Sequence, residues 1–178
     1  MHSRIEPSMR MALVFIVAWA LTSIRAQTVS EQTHFSAEDS RVSRPINLPE
    51  GVLAMISKEE VVRDTLEDEG KSQLPRDWLS AAEVHLAGPN EKDFVVMAVG
   101  LLRGANITTF WVFRPTSGGG YEMLLDAPAH DLIIKESRSK GYRDIELLSA
   151  TAVSVTTVNV RFDAKKYQIQ KRTSAPIN

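Results

Sequence analysis

The chain contains no cysteine, which excludes disulfides, thiolate metal sites, a cysteine nucleophile and a lipid-modified amino-terminal cysteine. It is also poor in histidine, with four in 178 residues, and the usual His-rich metal or protease spacings do not occur. No GxSxG or Ser-x-x-Lys box is present. The one long apolar run, "MALVFIVAWALTSI" over residues 11–24, is 14 residues long. A helix that spans a bilayer needs about 20. Nor is there an excess of basic charge, since the formal net charge is −1. A protein without such an excess is poorly suited to neutralising phosphates, so nucleic acid is set aside as a partner.

Several features stand against these absences. Arg4 and Arg10 lead into the apolar run and the small residue Ala26 follows it. A basic start, a short apolar centre and a small-residue exit predict a secretory signal peptide over residues 1–26. Cleavage after Ala26 leaves 18 basic and 21 acidic side chains and no membrane span. The expected location is periplasmic or secreted, in a bacterial envelope. Residues 27–46, "QTVSEQTHFSAEDSRVSRPI", are polar and without sustained apolar period, and read as a flexible leader.

Residues 47–171 are expected to form a single domain. Asn47, Pro49 and Glu50 supply a helix start, and Val52, Met55, Ile56, Val62 and Leu66 recur near helical spacing, with Glu59 as the exception on that stripe. An amphipathic helix over residues 49–68 follows, stopped by Gly70. A Ser57–Glu60 capping box offers a break into two shorter helices. After Pro75 the pattern becomes strands: "WLSAAEVHLA", "DFVVMAV", "ITTFWVFR", then "TSGGG" as a hairpin turn into "YEMLLD". "DFVVMAV" is apolar on both faces and should lie in a sheet interior.

The strand order repeats. "KDFVVMAV" (92–99) answers to "RDIELLSA" (143–150), "ITTFWVFR" (107–114) to "VTTVNVRF" (155–162), and "GYEMLL" (120–125) to "KYQIQK" (166–171). "HDLIIKESRS" (130–139) takes the place of "WLSAAEVHLA". Each copy reads as an antiparallel four-stranded meander of propeller-blade length, over residues 77–126 and 130–171, with 172–178 as a carboxyl-terminal tail. The fold class is α+β and mainly β, with an amino-terminal helix and two meanders packed together.

The loop-then-strand pattern ending in Asp93, followed by a meander, resembles the FG-GAP or VCBS repeats of integrin-like propellers and many exported bacterial proteins. It is also similar to small exported bacterial proteins of unknown function that carry a helix before such a meander pair. In that family the loop carboxylates often hold calcium. Here "HLAGPNEKD" keeps only Asp93, and "ESRSKGYRD" keeps Asp144 but places Arg138, Lys140 and Arg143 where a cation would sit. A hard divalent cation takes about six or more oxygens. Calcium therefore does not carry over, no metal or other cofactor is expected, and Asp93 and Asp144 read as structural turn residues that accept bonds from their own backbone.

Two loops are candidates for binding an extracytoplasmic protein or glycan. One carries Leu101, Leu102 and Arg103, the other the basic cluster Arg138, Lys140 and Arg143. The leading functional expectation is an exported, non-enzymatic binding or accessory module. The alternatives are an envelope-polymer hydrolase using His130, Asp131 or Glu83 in acid–base roles, and a purely structural envelope protein.

Overall fold

The computed structural model describes residues 31–177. The expected signal peptide, residues 1–26, lies outside them. Among the described residues the protein is mainly β, with two antiparallel sheets and two helices.

Helices α1 (Glu50–Ile56) and α2 (Glu60–Asp68) replace the single helix expected over 49–68. The break falls at Lys58–Glu59, where Glu59 turns extended (φ −63°, ψ 138°). The capping box does not form, because Ser57 keeps helical geometry and its hydroxyl donates back to Leu53 O at 2.8 Å. Gly70 ends α2 in left-handed backbone (φ +62°), with Lys71 N–H donating to Leu66 O at 2.8 Å. That is the closing bond of a Schellman turn.

Strands β2 (Leu79–Val84), β3 (Asp93–Ala98), β4 (Thr108–Pro115) and β5 (Tyr121–Ala129) form one sheet in sequential order. Strands β6 (Asp131–Ser139), β7 (Tyr142–Ala150), β8 (Ser154–Phe162) and β9 (Tyr167–Pro176) follow in the other, which a short strand β1 (His34–Ser36) extends beside β6. The chain passes from the first sheet to the second through His130 alone.

The first sheet is the middle of three layers. On one face Phe94, Val96, Trp111 and Phe113 pack with Val52, Ile56, Val62 and Leu66 of the helices. On the other, Val95, Met97, Phe110 and Val112 pack with Leu132, Ile145, Leu147, Val158 and Val160 of the second sheet. Every residue of β3 is buried for this reason, as its two-sided apolar sequence predicts. Among the described residues the second sheet has one covered face, and β9 beyond Gln168 is exposed on both.

Two boundary expectations are corrected. Residues 31–46 do not form a flexible leader. Phe35 is 1% exposed in the inter-sheet core, β1 pairs with β6, Val42 is buried, and Ile46 N–H donates to Ala81 O at 2.9 Å on the edge of β2. Single apolar residues spaced along polar sequence produce no periodicity, yet each fills one gap in a core built by other strands. Residues 172–176 likewise do not form a tail, because they pair with Ser154–Val158 as the end of β9.

Candidate functional site

The loop before β3 and the β6–β7 turn meet at one end of the sandwich. Asp93 enters β3 buried, and its Oδ2 accepts the Leu86 N–H at 3.0 Å. Burial raises the Asp93 carboxyl above its ordinary pKa, opposed by the Leu86 and Ala87 amides. The loop carbonyls are held by arginine. Arg138 donates to Leu86 O at 2.8 Å, Ala87 O at 3.0 Å and Gly141 O at 2.9 Å. The Arg143 backbone N–H donates to Leu86 O at 2.9 Å.

The Arg143 side chain is only 5% exposed and is fully engaged, on Lys135 O at 2.8 Å, Glu31 at 3.0 Å and Glu136 at 2.6 Å. Tyr167 donates its hydroxyl to Arg143 O at 2.6 Å, and burial drives its pKa far above that of an ordinary phenol. Asp144 accepts from the Ser137 hydroxyl at 2.7 Å. Its other oxygen is buried without a hydrogen-bond partner among the described residues.

Of the expected basic binding cluster, Arg143 is buried, while Arg138 and Lys140 are exposed. The Arg138 guanidinium joins the sheets through the Leu86 and Ala87 carbonyls, as a planar fork of donors can, whereas Arg143 reaches Leu86 O with its backbone N–H. Lys140 is exposed in left-handed backbone (φ 50°) beside Gly141 (φ 88°), the two central positions of a tight hairpin turn. A small cleft of about 270 Å³ remains beside Glu31, His85, Glu136 and the two arginines.

The other expected binding loop divides as well. Leu102 folds into the helix-side core, and Arg103 donates to Ala37 O at 2.6 Å, fastening the segment after β1. Leu101 stays 55% exposed. Of the two adjacent leucines, Leu101 alone is presented to solvent.

At the crossover, His130 Nδ1 lies 3.1 Å from Asp131 Oδ1 and its Nε2 3.5 Å from Glu38, while His34 Nε2 lies 3.4 Å from the same Asp131 oxygen. Burial works to raise the Asp131 pKa, but bonds from Ser36, His130 and His34 outweigh it and leave the carboxyl below its ordinary value. Ser36 therefore engages the carboxylate, whereas a hydrolytic nucleophile has to engage the imidazole. Glu83 is paired with Lys92 at 3.2 Å and His85 at 3.7 Å, near the other loop. Among the described residues, no group of three or more His, Asp or Glu is placed to hold a metal ion.

A surface that none of these expectations named lies along the opposite seam. Among the described residues, strands β5 and β9 are the edge strands of their sheets, and between them runs a groove of about 350 Å³. Leu125, Leu147, Val160, Tyr167 and Ile169 line its apolar part, with Asp126 and Lys166 at its lip. Ile169 is 60% exposed although it is paired with the buried Val160. Asp126 is raised above the usual carboxylate pKa, first by burial and then by the charge of, and a hydrogen bond with, the neighbouring Glu59. The alternation of Tyr167 and Ile169 in "KYQIQK" was the available signal for this strand, but nothing in it tells that the partner face is missing.

Compared with known protein families, characterised proteins and solved structures, the chain matches none of them.

Proposed function

We propose that the protein is an exported, non-enzymatic binding or accessory module of the bacterial envelope, and that the β5–β9 seam is its binding surface. The export reading rests on the amino-terminal pattern of Arg4, Arg10, the apolar run and Ala26. One observation carries the binding reading: an apolar groove is left open between two edge strands, although the seam on the other side of the same sandwich is covered. The two sheets are read as diverged copies of one meander, akin to FG-GAP or VCBS repeats. In this reading the loop is held by the Arg138 guanidinium in the role a cation plays there. Partners of the class expected are an extracytoplasmic protein or a glycan.

The test is affinity capture from an extracytoplasmic extract, with the wild-type chain compared with Ile169→Arg. A partner kept by wild type and lost by the variant is the expected result. Equal capture by both would move the surface elsewhere. Release of product from cell-wall or ester substrates, abolished by His130→Ala, would replace the proposal with the hydrolase. No saturable partner and no product would leave a structural role.

A further inference from the structure

We infer that the seam takes an extended, acidic segment of another protein, added as a strand to the edge of β9. This rests on the seam being the binding surface, and it adds what the partner must look like. Charge is the first observation. Residues 154–177, the β8–β9 hairpin, carry five basic side chains (Arg161, Lys165, Lys166, Lys171, Arg172) and one acidic, Asp163. Residues 31–153 carry thirteen basic and twenty acidic side chains. The hairpin is a basic arm on an acidic body, and Asp163 is occupied in its own turn, where it accepts the Lys165 and Lys166 N–H groups at 2.8 and 2.9 Å.

Backbone is the second observation. Among the described residues β9 pairs with β8 on one side only, so its other side offers donors and acceptors to an incoming strand. Gln170 has no partner on β8, since Asn159 faces Lys171 and Val160 faces Ile169. This bulge bends the edge between two regular stretches, Tyr167–Ile169 beside the groove and Lys171–Pro176 beyond it. An added strand would turn every second side chain toward the groove of Leu125, Leu147 and Ile169. Acidic side chains on its other face meet Lys171, and those at the groove lip meet Lys166 and Arg172.

Lysines and bulges on an edge commonly serve to keep strands apart. Here they discriminate between partners. A second copy would bring one basic hairpin against another, whereas an acidic strand meets attraction along the same edge.

The experiment uses the full chain and a fluorescein-labelled peptide of alternating Val and Glu. Three controls accompany it: the same peptide with Lys for Glu, the same with two central prolines, and phosphatidylglycerol vesicles. The acidic peptide should bind saturably and raise the hydrogen-exchange protection of β9 amides. Binding should weaken about tenfold or more with Lys171→Glu/Arg172→Glu, and the proline peptide should not bind. Circular dichroism and thermal melts of that variant, whose changed residues are exposed, verify that it is folded. Equal binding of the proline peptide would reduce the hairpin to a charge patch and overturn strand addition. Equal binding of the Lys peptide, no peptide binding at all, or binding of vesicles alone would also overturn it. If capture from extract remains sensitive to Ile169→Arg while these peptides fail, the seam stands as a binding surface and only the acidic-strand partner is lost.

Discussion

One sandwich has two seams, and they are treated differently. On the β1–β2 side, residues 31–48 run along the opening. Phe35 plugs the core, Val42 N–H donates to Ser80 Oγ at 3.0 Å, Ile46 pairs with Ala81, and Arg103 holds Ala37. On the β5–β9 side nothing comparable is present among the described residues, and the apolar groove stays open. The covered seam uses scattered single side chains and side-chain hydrogen bonds to do what a further strand would do. The difference shows that closing a sandwich edge takes a dedicated segment, which among the described residues one seam has and the other lacks.

The comparison is broken most sharply by removing the plug. Phe35→Ala should destabilise by about 3–5 kcal/mol, since a ring buried between sheets leaves a cavity, read as a lowered denaturant midpoint at constant slope. A cost near zero would mean that the segment merely lies on the surface. Arg143→Met should cost less, about 1–3 kcal/mol, because it orphans the Lys135 carbonyl at the closed end.

Acid should act on the covered seam. The Asp131 carboxyl lies below its ordinary value, so its stabilisation is present above the unfolded pKa and is lost as pH falls through the folded one. Wild type should therefore lose Tm on acidification below about pH 4, and Asp131→Ala should flatten that loss. Identical pH profiles would remove Asp131 from the clamp. The smallest effect belongs to the open seam. Ile169→Thr should change stability by no more than about 0.5 kcal/mol, because the side chain is already largely in water. A larger loss would show that Ile169 is a core residue and that the groove is closed in solution.

The strands were readable where their environment is uniform. β3 is covered on both faces along its whole length, so its apolar run is unbroken and its interior place follows. β8 has one covered face, and Val158, Val160 and Phe162 alternate accordingly. The helix pair was legible in its stripe, and a break near Ser57 was offered, but its capping box was not formed, because the Ser57 hydroxyl donates to Leu53 O. The binding residues were harder. Arg138 looks like part of a solvent cluster in sequence, since the Leu86 and Ala87 carbonyls it binds belong to a loop about 50 residues earlier, and the buried Arg143 is paired with Glu31 far upstream. Leu101 and Leu102 are adjacent and alike, and only packing separates the exposed one from the buried one.

Sequence alone determined the α+β, mainly β character and the two successive meanders. Periodicity is local, and each strand carries its own record of which faces are covered. Tertiary structure decided the layer order, the burial of Phe35 and the role of the arginines. It also decided which seam stays open. Each of these depends on groups far apart in the chain meeting across a gap, and a side chain's own neighbours hold no information about what will face it there.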